Sequence, residues 1–251
     1  MNNQIERAIF EIKGEDTLSF LQGLITNEIK NLDKGLIYTA MLTPQGKYFA
    51  DFFIAQHADR VFIDCSSVIS SELKRKLTLY RLRAKVEVVE SDLKVVVGIG
   101  EFPSNAYKDP RHKALGWRLY GEDRANQTQS SVNWVDIKVK HCIPETGIEL
   151  VPNQTYILEA GFERLNGVDF KKGCYVGQEI IARMKHKTDI RKGLKTVKIE
   201  GSAEIGTKIL CHGKEVGTLY SQSNGLGIAF LRFDRVDKLM TAGGANVIFE
   251  N

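Results

Sequence analysis

The residues best placed to do chemistry lie in one short stretch. Lys171-Lys172-Gly173-Cys174-Tyr175-Val176-Gly177-Gln178-Glu179 runs directly into Ile180-Ile181-Ala182-Arg183-Met184-Lys185. Val176, Ile180, Ile181 and Met184 recur at helical spacing, so a helix is predicted to start at or just after the cysteine. Unpaired N–H groups and the macrodipole at a first helical turn favour negative charge. Lys171 and Lys172 add two positive charges beside the sulfur. Each of these effects favours thiolate over thiol, so the expected chemistry is that of a reactive cysteine. The competing reading is a buried sulfur acting as a small apolar group. Exposure decides between them, and it is not written in the spacing.

The other cysteines, Cys65, Cys142 and Cys211, are far apart and form no Cys-x-x-Cys pair. That spacing disfavours a disulfide framework or a zinc ribbon. His141-Cys142 and Cys211-His212 are neighbours along the chain, which on a strand point to opposite faces and do not chelate together. Between Lys171 and Lys195 there are eight Lys or Arg against two acids, an excess larger than the whole chain's net charge of +4. Positive charge is therefore concentrated around Cys174, which suits an anionic ligand or partner.

The stretch Lys171–Glu179 closely resembles the signature Lys-Gly-Cys-(Tyr/Phe)-x-Gly-Gln-Glu of the folate-binding YgfZ-type proteins, members of the aminomethyltransferase (glycine-cleavage T-protein) superfamily that serve iron–sulfur enzymes. Three more segments carry the likeness: Phe20-Leu21-Gln22-Gly23-Leu24-Ile25-Thr26-Asn27-Glu28, Tyr80-Arg81-Leu82-Arg83-Ala84-Lys85-Val86 and Leu158-Glu159-Ala160-Gly161. Residues 101–135 match nothing in the family. The resemblance implies tetrahydrofolate, or a one-carbon derivative, in a central cavity. It places Gln22, Thr26 and Asn27 near that cavity, Asp51 on the strand that faces the folate, and Glu159 where the pterin is received. A pterin presents a ring N–H and an exocyclic amine side by side, two donors that match a carboxylate. Asp51 has a second reading, a carboxylate facing solvent on an alternating strand, and Glu159 a second one as a capping or surface acid. Lys172, Arg183 or Lys185 would meet the anionic tail. Cys174 would face the same cavity or its mouth, ligating a cluster transiently or exchanging with a thiol, with Lys172, Gly173, Tyr175, Gly177, Gln178 and Glu179 completing its site. Thiolates are the usual cluster ligands, and one cysteine suits shared ligation. A true aminomethyltransferase lacks a nucleophilic cysteine here, so the glycine-cleavage role is disfavoured.

The elements that must position these residues follow from pattern. Ile5 to Lys13 reads as a strand, and Asp16 as the cap of a helix with Leu18, Leu21, Leu24, Ile25 and Ile29 on one face. Pro44-Gln45-Gly46-Lys47 between Tyr38–Thr43 and Tyr48–Ile54 predicts a hairpin with a four-residue loop. Arg60–Cys65 is a third strand, and a helix capped by Ser70 or Ser71 runs through Leu82. Val86–Glu90, Leu93–Ile99 and Leu115–Tyr120 are strands, Gly121 to Ser131 a surface connection, and residues 133–150 a helix leading to a turn. From Gly193 the chain breaks into short segments punctuated by glycine, the pattern of a small antiparallel barrel. The fold class is α+β: an aminomethyltransferase-like folate-binding domain over residues 1–192, with antiparallel sheets and helices around a cavity, then a C-terminal β-barrel over 193–251.

The composition, 43% hydrophobic and 26% charged, is that of a folded globular chain. No apolar run reaches the length of a membrane span and no secretory signal is visible, so a cytoplasmic monomer is the expectation. The function expected is a tetrahydrofolate-binding factor for assembly or repair of iron–sulfur clusters, with assembly proteins and client enzymes as partners. The alternative is a folate-dependent one-carbon transferase acting on an amine or on tRNA, although the basic patch lacks interleaved aromatics. No turnover reaction is identified by the residues.

Overall fold

The computed structural model describes residues 6–122, 126–187 and 190–249. The first sheet is built from β1 (Arg7–Lys13), β2 (Ile37–Leu42), β3 (Tyr48–His57), β4 (Arg60–Ser66) and β5 (Glu87–Glu90), in the order β2-β3-β4-β1-β5 and antiparallel throughout. One face carries Phe10, Ile12, Phe52, Ile54 and Ile63 and packs against α1 (Thr17–Gln22) and α2 (Ser67–Tyr80). The other carries Ile9, Tyr38, Phe53 and Phe62 and joins the main core. Covered on both sides, β3 is buried from Tyr48 to Ala55, which is why its apolar residues run on without alternating. The solvent-facing reading of Asp51 is thereby excluded: the residue is 8% exposed.

A second sheet, β6 (Lys94–Gly98), β7 (Tyr107–Lys108), β8 (Trp117–Gly121) and β9 (Gln127–Thr128), has the order β7-β8-β6-β9. The polar stretch from 121 to 131 is thus more than a surface connection, since Gln127–Thr128 pairs parallel with β6; residues 123–125 of it lie outside the described residues. After α3 (Trp134–Lys140) the chain runs through turns to α4 (Gln178–Lys187). It then enters a closed barrel of β10 (Lys192–Glu200), β11 (Lys208–Cys211), β12 (Lys214–Ser223), β13 (Leu226–Arg232), β14 (Leu239–Ala242) and β15 (Ala245–Ile248). The barrel has its own interior of Val197, Ile209, Leu219, Leu231 and Val247. Leu194 and Ile228 belong instead to the main core, and α3 packs on β12 and β13.

Two helices differ from the expectation. The helix after Asp16 stops at Gln22, because residues 25 and 26 turn extended and bond to β2: Ile25 bridges Met41, and the Thr26 N–H donates to the Ala40 carbonyl at 2.9 Å. Competing strand bonds, not a lack of apolar spacing, end it. Leu18 is 51% exposed, Ile29 belongs to a separate 3-10 turn (Ile29–Lys34), and the Asp16 carboxylate accepts from the Lys85 N–H at 2.8 Å instead of capping. The next helix starts at Ser67, not Ser70 or Ser71, and ends at Tyr80, two residues before Leu82 takes a positive φ of 46°. α3 is likewise shorter than residues 133–150 suggested.

Candidate functional site

The cysteine loop is assembled by bonds to a segment about 140 residues or more earlier. The Thr26 hydroxyl donates to the Gly167 carbonyl at 2.7 Å and the Asn27 amide to the Asn166 carbonyl at 2.8 Å. The Asp169 N–H donates to the Thr26 carbonyl at 3.0 Å and the Val176 N–H to that of Gly23 at 3.2 Å. Lys172 Nζ donates to the carbonyls of Gln22 and Ile25, at 2.8 and 2.5 Å, and lies 4.7 Å from the Tyr175 ring centre. Two stretches that the family resemblance picked out separately, residues 20–28 and 171–179, are therefore one unit. Lys172 is 6% exposed; burial pulls its pKa down to about 8, against the opposing pull of Glu28 and Asp169. Its ammonium is used inside the protein, which corrects the expectation that it meets an anionic tail. Gln22 is half-buried on the groove beside α1 and engaged within the protein, donating to Glu28 and accepting from the Ile29 N–H.

Upon this base Cys174 is exposed, while Cys65, Cys142 and Cys211 are buried. Burial pushes the Cys65 thiol up to about 12 and the Cys142 thiol to about 11. The helix does not begin at the cysteine: α4 starts at Gln178, four residues on, beyond the single turn over which a dipole acts. Gly177, with φ of 83°, makes the turn between them, and a Cβ there would stand 2.6 Å from the Thr43 carbonyl oxygen. Gly46 of the β2–β3 loop is pressed reciprocally onto α4, its hypothetical Cβ 2.6 Å from the Ile180 Cβ. A Cβ at Gly173 would meet nothing within 4 Å. Tyr175 is buried in the main core, and that burial raises its hydroxyl pKa to about 12. Gln178 is half-buried, whereas Glu179 and Arg183 are exposed. Lys185 pairs with Glu163 at 2.5 Å.

Asp51 sits in a different place, on a cavity of about 260 Å³ whose walls include Arg7, Arg111, Arg118, Trp134, Glu145 and Thr146. Its Oδ1 accepts from the hydroxyls of Tyr48 at 2.7 Å and Thr146 at 2.5 Å; its Oδ2 accepts from the Tyr38 hydroxyl at 3.0 Å. Burial first, and the Asp51 charge second, raise both tyrosine hydroxyls well above the ordinary range. Behind this carboxylate lies a buried ionic lattice. Asp64 accepts from Arg7 Nε at 2.6 Å and Arg118 Nη2 at 2.5 Å, and Asp109 accepts from Arg111 Nε and Nη2 at 3.0 and 2.7 Å. Burial works to raise both carboxyls, yet the facing guanidiniums hold them below their usual range. All three guanidiniums lie over the Phe53 ring, at 5.6, 4.8 and 4.1 Å for Arg7, Arg111 and Arg118.

The structure does not bring Cys174 or Glu159 to this cavity. Gly173 instead borders an open groove of about 1010 Å³ beside α1 and the end of β1. Glu159 is 9% exposed and lies 3.6 Å from Lys192 on β10, and its carbonyl accepts from the Leu194 N–H at the seam with the barrel. Burial raises its carboxyl, against the attraction of Lys192. Asn27 is spent on the carbonyls of Tyr38 and Asn166. The sequence reading missed Tyr38, Tyr48, Thr146 and the three arginines. Tyr48, three residues from Asp51 in the same strand, carried a local signal; Thr146 and the arginines are gathered only by the tertiary fold. Among the described residues no group of three or more His, Cys, Asp or Glu side chains could hold a metal ion, and no helix is long and apolar enough to cross a membrane.

Comparison with known proteins follows the same lines. Residues 191–250 match the family described as CAF17, C-terminal beta-barrel domain. A Mus musculus protein named iron–sulfur cluster assembly factor IBA57, mitochondrial, is 27% identical over 92% of this chain and 76% of its own length. A Sodalis glossinidius protein named tRNA-modifying protein YgfZ is 25% identical over 74% of this chain and 67% of its own. The solved structure of the glycine cleavage system aminomethyltransferase T from Bartonella henselae superposes with a TM-score of 0.74 over 98% of this chain and 83% of that one, at 10% identity. That likeness establishes the aminomethyltransferase-like α+β fold with its terminal barrel.

Proposed function

We propose that this chain, a YgfZ- and IBA57-type protein of the aminomethyltransferase superfamily, supports the assembly or repair of iron–sulfur clusters in client enzymes, with tetrahydrofolate or a one-carbon derivative bound at the Asp51 cavity. The observation that carries the reading is the contrast among the four cysteines: Cys174 alone is exposed, on a loop fixed by buried bonds. An exposed thiol on a rigid base offers one ligand to a cluster whose other ligands come from a partner, or one partner to a thiol exchange. The cluster is cargo.

The Asp51 cavity suits a flat ring with an N–H. A carboxylate has about four acceptor sites, and three hydroxyls use three of the Asp51 sites, leaving one for a ligand donor. The volume is close to the lower end of ligand pockets, roughly 300 Å³, so a ring system would fill it and a tail would leave it. Asp51 would hold the ring and the rim guanidiniums of Arg7 and Arg111 would attract an anionic extension. Bound there, a reduced folate would supply one-carbon chemistry. Glu159 lies outside this arrangement.

Calorimetric titration of tetrahydrofolate into wild type, Asp51→Asn, Glu159→Ala and Cys174→Ser tests the reading. Binding that is lost in Asp51→Asn and kept in the other two supports it; no binding in wild type ends it. A second reading, a one-carbon transferase acting on tRNA, draws on the name of the Sodalis glossinidius relative. Turnover of a methylene donor by the isolated protein with tRNA present would favour it.

A further inference from the structure

Glu149 is 3% exposed, lies in the turn region after α3, and among the described residues pairs with no Lys or Arg. Its two oxygens accept from groups in two parts of the molecule, the Ser221 hydroxyl among them. Oε2 accepts from the Glu145 N–H at 2.9 Å, and Oε1 accepts from the Ser221 N–H on β12 of the barrel at 3.2 Å. The segment it closes is tight: the Leu150 and Ile148 N–H groups donate to the Glu145 carbonyl and the Gly147 N–H to that of Leu150. In the middle of that segment sits Thr146, whose hydroxyl donates to Asp51 Oδ1. Lys138 of α3 holds the Glu145 carboxylate from the other side.

A continuous route therefore runs from the barrel to the cavity: Ser221, Glu149, the Glu145 amide, Thr146, Asp51. We infer that Glu149 is a positioning residue through which the C-terminal barrel sets the Thr146–Asp51 wall of the cavity. A buried carboxylate serves this purpose where an apolar residue would not, because only it accepts from both N–H groups at once. Isolated buried carboxylates are otherwise avoided, so its presence calls for a role beyond filling space. The groups that face it are Glu145, whose charge raises it, Tyr220 of the barrel and the Cys142 thiol, both raised in part by its charge. Burial is the largest influence and shifts the Glu149 carboxyl upward, so protonation as pH falls removes one of the two acceptors before ordinary glutamates titrate.

The test uses the full chain, and its ligand arm rests on the folate reading while its exchange arm does not. Native-state hydrogen exchange is followed at single amides in wild type, Glu149→Gln and Thr146→Val. A glutamine keeps one acceptor and turns an NH2 toward the other N–H, so Glu149→Gln is expected to lower protection at Glu145 or Ser221 on the order of tenfold, with α2 amides unchanged. Tetrahydrofolate affinity is expected to fall by a similar factor, and less than additively in the double variant with Thr146→Val. Should Glu149→Gln not fold, wild type decides: as pH is lowered, protection at Glu145 or Ser221 should drop before ordinary glutamates titrate and ahead of α2. Unchanged protection at both amides, or fully additive losses, would overturn the inference. A wild type that binds no folate defeats the earlier reading only, since the exchange result still decides the role of Glu149.

Discussion

Cys174 and Asp51 are built in opposite ways. Cys174 is an exposed group on a buried foundation: backbone bonds, the Thr26 and Asn27 side chains, the buried Lys172 and the tight turn at Gly177 fix it. Asp51 is a buried group facing a cavity, fixed by three side-chain hydroxyls and backed by paired guanidiniums. The first arrangement suits meeting another macromolecule; the second suits enclosing a small ring. What the difference teaches is that the polar residues of a motif need not touch the ligand. In the cysteine motif Lys172 and Tyr175 hold the loop, and the sulfur is presented beside the exposed Lys171 and Glu179.

That contrast can be broken from either side. The largest effect is expected at Gly177→Ala, where a left-handed φ and a carbonyl at 2.6 Å combine to cost about 3 kcal/mol, read from the denaturant midpoint. Lys172→Met should cost about 2 kcal/mol by orphaning two carbonyls, less the relief of removing a buried charge. Its pH signature has a definite sign. Between about 8 and 10.5 the unfolded chain holds a proton that folded Lys172 has lost, so wild-type stability gains from this group as pH rises, and Lys172→Met loses that gain. Comparing unfolding of the two proteins at about pH 7.5 and about pH 9.5 checks it. Asp51→Asn, which turns a donor toward hydroxyls that were donating, should cost about 1–2 kcal/mol and leave Cys174 labelling unchanged. Gly173→Ala should change stability by no more than about 0.5 kcal/mol, since its Cβ meets nothing. A large loss there would mean that the loop packs against something more than the fold shows.

Much of this was legible in the residues. The hairpin around Pro44–Lys47, the strands of the first sheet and the glycine-punctuated barrel follow from local pattern, and the structure has them. The short α1 was not legible, because its end is set by Thr26 bonding to Ala40 and not by any residue that dislikes helix. Cys174 was found by its neighbours in sequence, but the reason first given, a helix start, proves displaced by four residues. Asp51 was singled out by the family likeness; its partner Thr146 lies 95 residues away, beyond what spacing can report. Glu159 drew attention through resemblance alone, and its carboxylate faces Lys192 at the barrel seam.

The most direct test of the central claim is restoration of iron–sulfur enzyme activity in cells lacking this chain, using wild type and Cys174→Ser expressed at equal levels. The account predicts that Cys174→Ser melts as wild type does and binds folate as wild type does, yet restores no activity. Full restoration by Cys174→Ser would contradict it, leaving the exposed sulfur without a role and the function with the Asp51 cavity alone.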